Sequence, residues 1–270
     1  MHITNLISQY FGKFAKTEFP TIIQKVINGS YVKFLKLDMS EFRNPRYYKS
    51  LNDLFTRELA IPREIAKDES SFISPADSFI TQCGDLKKDL LLQIKGMQYS
   101  VEELLTYHCA ENFEKLQNGS YMNFYLSPKD YHRYHAPCDF KVKKLIHIPG
   151  KLYPVNIKYL NKQLDLFIEN ERVILECIHE GKTFYMVFVG ALNVGQMVFT
   201  FEPKVETNAD AQEIKVYEYE DLTIKKAQCL GYFKMGSTVV MVWEKDFISL
   251  EKLLGKSVRF GQTIAKKNNN

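Results

Sequence analysis

Apolar residues recur at helical spacing through the first 37 positions and at strand spacing from about residue 120 onward. Ile3, Leu6, Ile7, Tyr10, Phe11 and Phe14 follow an i, i+3, i+4, i+7 stripe that leaves Lys13 and Lys16 outside it. Pro20 interrupts the pattern. Ile22, Ile23, Val26, Ile27, Phe34 and Leu35 then resume it, with Gly29 as a weak point. Two amphipathic helices are expected, and a third, short one over 50–59, where Leu51, Leu54 and Phe55 share a face. Ser100-Val-Glu-Glu103 reads as a capping box that opens a helix through about residue 108, and Asn118-Gly119 marks a turn after another helical stretch. Beyond it Met122, Phe124 and Leu126 alternate with Tyr121, Asn123 and Tyr125. The segments 172–178, 183–189, 196–201 and 238–243 are rich in β-branched and aromatic residues. Strands and helices do not alternate regularly, which disfavours a parallel Rossmann-like sheet. The expected fold class is α+β: N-terminal amphipathic helices followed by a mostly antiparallel β core. The polar tail 266–270 is expected to fray.

Composition narrows the class. With 270 residues, 45% of them apolar, the chain is long enough to bury a substantial core, and 9 Pro and 13 Gly are too few for a linker-dominated chain. No apolar run approaches the roughly 18–20 residues of a spanning helix. The N-terminus lacks the basic, apolar and small-residue succession of a secretory signal. The net charge of +4 is local: residues 1–48 carry seven Lys/Arg against three Asp/Glu, so the remainder is balanced. Lysines beside an aromatic-rich apolar face suit a helix lying in the headgroup layer of an anionic membrane; a helical hairpin packed on its own core has the same periodicity. A nucleic-acid binder would carry a denser basic patch, so nucleic acid is not expected as a partner. Five cysteines at 83, 109, 138, 177 and 229 form no CxxC pair, which points to reduced thiols rather than a zinc ribbon or a disulfide framework.

Three places hold reactive groups in turn-like settings. Ser74-Pro-Ala-Asp77 puts an acid after a proline turn, where a plain turn or cap role is the ordinary one. Between Pro128 and Pro137 the chain gathers Asp130, His132, Arg133 and His135. Metal binding by the two histidines lacks a local Asp, Glu or Cys at matching spacing, so no metal is expected. Acid–base work suits side chains that titrate near neutral pH, and loop histidines without a task are the plain alternative. Phe233-Lys-Met-Gly-Ser-Thr238 is a turn by composition. It also has what autocatalytic cleavage needs: a glycine carbonyl open to approach, followed by a hydroxyl that attacks it. There is no GxSxG elbow around Ser237, and no GxGxxG or Walker A sequence anywhere.

The order of these segments resembles the phosphatidylserine decarboxylase family. The likeness runs from Leu54-Phe-Thr-Arg-Glu-Leu59 through Lys95-Gly96, Tyr99-Ser100, the 125–138 segment, Pro149-Gly150, Val155-Asn156, Asn170-Glu-Arg-Val173 and Val189-Gly-Ala191 to Gly261-Gln262. The resemblance implies a proenzyme that cuts itself between Gly236 and Ser237 into a β chain (1–236) and an α chain (237–270) that stay associated. It makes Asp77, His135 and Ser237 the self-cleavage triad, with His135 as base and Asp77 orienting it. Ser237 becomes a covalent pyruvoyl group, the cofactor, whose Schiff base with phosphatidylserine leads to CO2 and phosphatidylethanolamine. His132 is implied in the substrate or decarboxylation step. The expected layout is a membrane-association region over 1–48 and a catalytic domain over 49–270, peripheral on the cytoplasmic side of the cell membrane, with a homodimer left open. Four positions depart from the family pattern: Ser78-Phe79 and Phe140 stand where glycines are usual, Met97 where many relatives have His, and Met235 where they have Leu. Two rivals remain: a pyruvoyl decarboxylase of the same fold acting on another amine, and a non-catalytic, membrane-docked β-domain.

Overall fold

The structure is a computed structural model that describes residues 3–87, 90–94, 97–154, 166–192, 196–207, 213–234 and 238–268. The two N-terminal stripes form helices α1 (Ile3–Lys16) and α2 (Thr21–Leu35) on either side of Pro20. Lys36 ends α2 in the left-handed conformation, returning its N–H to the carbonyl of Lys33. Helix α3 (Leu51–Phe55) is shorter than the expected 50–59. Ser50 caps its start through the Asp53 N–H. After Phe55 the chain turns inward so that Arg57 is buried, donating to the carbonyls of Lys129 and Asp130.

Ala15, Leu51 and Leu54 form a small core between these helices, ringed by Phe11, Ile27, Tyr31, Val32, Met39 and Tyr48. Buried Asn28 fastens α2 to the following loop: its Nδ2 donates to the carbonyls of Pro45 and Tyr48 at 3.0 and 2.9 Å, and Gln24 donates to its Oδ1. The opposite faces stay uncovered, with Phe34 85%, Ile22 79%, Tyr10 70% and Val26 63% exposed. No helix among the described residues is long and apolar enough to cross a membrane.

The β region begins with β1 (Ser71–Ile73), β2 (Ser78–Asp85), β3 (Leu90–Ile94) and β4 (Met97–Ser100). The predicted capping box forms, but α4 (Val101–Leu105) stops early because Thr106 takes a positive φ of 65°; a short 3₁₀ stretch and α5 (Phe113–Leu116) follow. Then come β5 (Ser120–Tyr125), β6 (Arg133–His135), β7 (Phe140–Ile148), helix α6 (Leu166–Glu169), β8 (Arg172–His179), β9 (Lys182–Val189), β10 (Met197–Phe199) and β11 (Lys215–Ile224). The chain closes with β12 (Cys229–Phe233), β13 (Thr238–Trp243), β14 (Ile248–Leu250), β15 (Ser257–Val258) and β16 (Thr263–Lys267). The frayed tail expected from 266 is corrected in part. Lys266 and Lys267 pair with Ser249 and Ile248, and the Asn268 N–H donates to Phe247.

Eight strands form the main sheet in the order β11-β7-β8-β9-β13-β5-β2-β15, antiparallel throughout. Both faces of its middle are buried, which is why 183–189 and 238–243 are nearly continuous in apolar residues. In β13, Val239, Met241 and Trp243 enter one core while Val240 and Val242 enter the other. A smaller sheet, β10-β12-β6, packs Tyr134, Phe199 and Phe233 into the first core beside Phe188. It carries the histidine segment.

Candidate active site

The reactive segments meet through backbone bonds. The His135 N–H donates to the Pro75 carbonyl at 2.8 Å and the Ile73 N–H to the Pro137 carbonyl at 2.9 Å, so the Pro-Ala-Asp turn lies along β6. Antiparallel pairing sets Arg133 opposite Tyr232 and His135 opposite Cys229. Gly231 is required in between: a Cβ there would stand 1.8 Å from the Val198 carbonyl oxygen.

His132 is fully buried against the Phe55 ring, with centroids 4.0 Å apart. Its Nδ1–H donates to the Asp130 carbonyl at 2.8 Å, so Nε2 carries the lone pair; that atom is buried and has no partner among the described residues. Burial pushes the imidazole pKa down to about 3, with Arg57 adding to the effect. The His132 carbonyl accepts from the Phe233 N–H at 3.0 Å, beside the end of β12 from which the chain runs on to Gly236 and Ser237. Asp130 itself is a turn residue, its carboxylate accepting from the N–H and hydroxyl of Ser127.

His135 is also buried. Its Nδ1–H donates to the Ala227 carbonyl at 3.0 Å, and Nε2 accepts from the Tyr131 hydroxyl at 3.1 Å. The ring stacks on Phe260 at 3.7 Å and 16°. Burial lowers its pKa to about 4, opposed in part by the negative charge of Asp77. Asp77 in turn accepts from the Phe260 N–H at 2.8 Å and from Arg63, whose Nη2 lies 2.9 Å from Oδ2. Arg63 also grips Glu41 through Nε and Nη2. Asp77 and His135 therefore share the Phe260 neighbourhood and an electrostatic coupling, while the hydrogen bonds of each go to other groups.

Met235, Gly236 and Ser237 lie outside the described residues, so of the expected cleavage site and the expected third member of the triad only the flanks are described. On one side, the Lys234 N–H donates to the Gln196 carbonyl. On the other, Thr238 opens β13 between Tyr125 and Val189. Of the departures from the family pattern, Ser78 starts β2 and Phe140 fills the core edge-on to Phe184. The Met97 side chain, Lys95, Gly96, Val155 and Asn156 also lie outside the described residues. Asn170, one of the residues that carry the family resemblance, ties Tyr153 to Gly190 through three side-chain hydrogen bonds.

Sequence reasoning missed Arg63, Tyr131 and Phe260. Tyr131 sat inside the histidine segment and its spacing of four from His135 was a usable signal. Arg63 and Phe260 carried none, since only tertiary packing brings them to Asp77.

Two buried neutral imidazoles and a carboxylate brought together by β6 and the Pro-Ala-Asp turn are groups suited to proton transfer, the chemistry of acid–base enzymes. Comparison with known proteins narrows that class. A sequence model of the family described as phosphatidylserine decarboxylase matches residues 51–266. The chain is 46% identical to the phosphatidylserine decarboxylase proenzyme of Campylobacter jejuni, covering 96% of this chain and 97% of that protein. It is 45% identical to the proenzyme of Helicobacter pylori (98% and 97%) and 38% identical to that of Nitrosospira multiformis (95% and 90%). The chain belongs to the phosphatidylserine decarboxylase family, a family of decarboxylases.

Proposed function

We propose that the protein decarboxylates phosphatidylserine to phosphatidylethanolamine after cutting itself between Gly236 and Ser237, and that it works as a peripheral protein on the cytoplasmic side of the cell membrane. The observation that carries this reading is the buried Nε2 of His132, which has no partner among the described residues and lies beside the strand that leads to Gly236-Ser237-Thr238. A basic nitrogen kept neutral and without a partner is suited to a group that arrives or changes during reaction.

In self-cleavage the Ser237 hydroxyl attacks the Gly236 carbonyl; the amide breaks and an ester forms. Elimination then releases residues 1–236 as a carboxylate, and hydrolysis with loss of ammonia leaves a ketone at the new N-terminus. That pyruvoyl group supplies an electron sink for the pair left behind when the carboxylate departs as CO2. His135 takes the hydroxyl proton through Nε2, which Tyr131 holds in place and burial keeps unprotonated. Asp77 stabilises the resulting imidazolium by charge. His132 handles the proton of the decarboxylation step. One observation favours a second reading: the β6–β12 register puts His132 at the end of the ladder nearest the cleavage segment and His135 at the far end, which would give His132 the base role in both steps.

Continued association of the two chains is supported by β13, which would open the α chain. Its residues are buried and paired on both sides, with β9 and β5. Burial of Val239, Val240, Met241, Val242 and Trp243 is worth on the order of 10 kcal/mol. The exposed apolar faces of α1 and α2, beside the excess lysines, support the membrane-association role of residues 1–48.

Intact mass spectrometry tests the reading. Chains of about 27 and 4 kDa are expected, apportioned by length from 31.5 kDa, together with release of CO2 from phosphatidylserine but not from soluble serine or aromatic amino acids. One uncut, unmodified chain would remove it. His135→Ala is expected to block cutting. Normal cutting by His135→Ala together with no cutting by His132→Ala would move the base role to His132.

A further inference from the structure

A cavity of about 170 Å³ separates α1 from the catalytic body, on the order of ten times the space one water needs. Gly12, Lys13 and Lys16 of α1 line one wall, and Asn52, Gln196 and Lys234 line the other. Lys16 Nζ and Lys234 Nζ donate to the same acceptor, Gln196 Oε1, at 3.2 and 2.7 Å. The two ammonium groups are therefore no farther apart than about 6 Å, and with Lys16 exposed and Lys234 half-buried their repulsion is only partly screened by water. The lining includes no carboxylate, and none of the three lysines has an ion-pair partner among the described residues. Burial and the charge of Lys16 both depress the Lys234 pKa, as expected of a cation held without its counter-charge.

We propose that this cavity binds a phosphate group, with Lys16 and Lys234 as its paired donors and Lys13 at its rim. An oxyanion placed between the two ammonium groups would convert their repulsion into two charge-assisted hydrogen bonds and release Gln196 from bridging them. The location suits a substrate. Three peptide units separate Lys234 from Ser237, at most about 11 Å of chain, and α1 also carries Ile7, Tyr10 and Phe14 exposed toward the surroundings. The inference rests on the proposed decarboxylase reading for its preferred source, the phosphodiester of a serine phospholipid headgroup. Free inorganic phosphate offers the same chemistry.

The test uses the full-length Ser237→Ala chain, so that binding is measured apart from turnover. Calorimetric titration with glycerophosphoserine and, separately, with inorganic phosphate should give binding that weakens roughly tenfold or more in Lys16→Gln and in Lys234→Gln, as expected for loss of a charged donor. Lys25→Gln, on exposed α2, should leave it unchanged. Tighter binding of glycerophosphoserine, displaced by phosphate, assigns the site to the headgroup; phosphate binding alone assigns it to the free ion. Affinities for both probes that do not depend on Lys16 or Lys234 overturn the proposal. In the processed enzyme, Lys16→Gln should raise KM for phosphatidylserine in mixed micelles and leave kcat nearly unchanged. A wild-type protein without activity on that lipid would sink the decarboxylase reading yet leave the calorimetric result standing.

Discussion

Replacing Arg63 by Met would remove the cation that, among the described residues, bridges Asp77 and Glu41. Arg63 donates four side-chain hydrogen bonds, two to each carboxylate, and its side chain is only 7% exposed. Afterwards Asp77 would keep the Phe260 N–H and Glu41 would keep Arg259, but two carboxylates would face the gap left between them. Breaking a fully buried pair costs about 3–5 kcal/mol and an exposed one about 0–1. Asp77 and Glu41 are 17% and 21% exposed, so the expected loss is about 2–4 kcal/mol, nearer the buried case. Urea unfolding of the Ser237→Ala chain measures it on one uncut polypeptide. With a slope of about 3 kcal/mol/M the midpoint should fall by roughly 1 M. A cycle with Asp77→Asn should return a coupling of about 1–3 kcal/mol. The same substitution removes a positive charge that depresses the His135 pKa, so the acid limb of the cleavage rate should move to higher pH. A midpoint within about 0.2 M of the parent, with no coupling to Asp77, would refute this account of the network.

The buried histidines set a pH dependence. His135 has its pKa lowered to about 4 from an unfolded value near 6.5, so the unfolded chain binds the extra proton first. Stability is full above pH 6.5, declines as pH falls toward 4 and levels off below, by about 3 kcal/mol for this residue alone. His135→Phe should flatten that decline in acid-unfolding curves, and cleavage by the parent should persist below pH 6 with a midpoint near 4. On α2, Ile22→Glu combined with Phe34→Glu should weaken sedimentation with anionic vesicles by roughly tenfold or more while self-cleavage stays normal; unchanged sedimentation would count against membrane docking by this face. Deleting residues 1–37 is a poorer probe, because it would uncover Leu51 and Leu54. Gly231→Ala should drive a methyl group into the Val198 carbonyl and cost roughly 2–4 kcal/mol in urea unfolding, with slowed cleavage.

Much of the fold was legible because the responsible signals are local. Pro20 separates α1 from α2, Ser100 and Glu103 cap each other, and 238–243 is β13 to the residue. What was not legible depends on tertiary contacts. Helix α3 stops at Phe55 because Arg57 turns in to meet carbonyls 72 and 73 residues away. Strand β11 escaped notice because it is an edge strand rich in charge, with a break in register between Glu218 and Leu222. Apolar alternation in 121–126 does not separate core from solvent, since Tyr121 and Asn123 are as buried as Met122 and Phe124. The candidate site shows the same division. Residue type and turn context singled out Asp77, His132 and His135 as candidates, and the family resemblance supplied their expected roles. Their actual hydrogen-bond partners, Arg63, Ala227, Tyr131 and Asp130, follow from how β6 lies between β12 and the Pro-Ala-Asp turn.

The placement of β13 explains how an enzyme could sever its own backbone and stay folded. The proposed cut precedes a strand whose neighbours, β9 and β5, each pair with all six of its residues. Breaking the chain at its entrance would free one end near Lys234 without releasing the ladder. The strand's side chains divide between the two cores, so neither half of a severed sheet could close over the gap it would leave. Cleavage at an edge strand such as β11 would carry no such security. Central position, more than any single contact, would keep an α chain in the sheet after the cut.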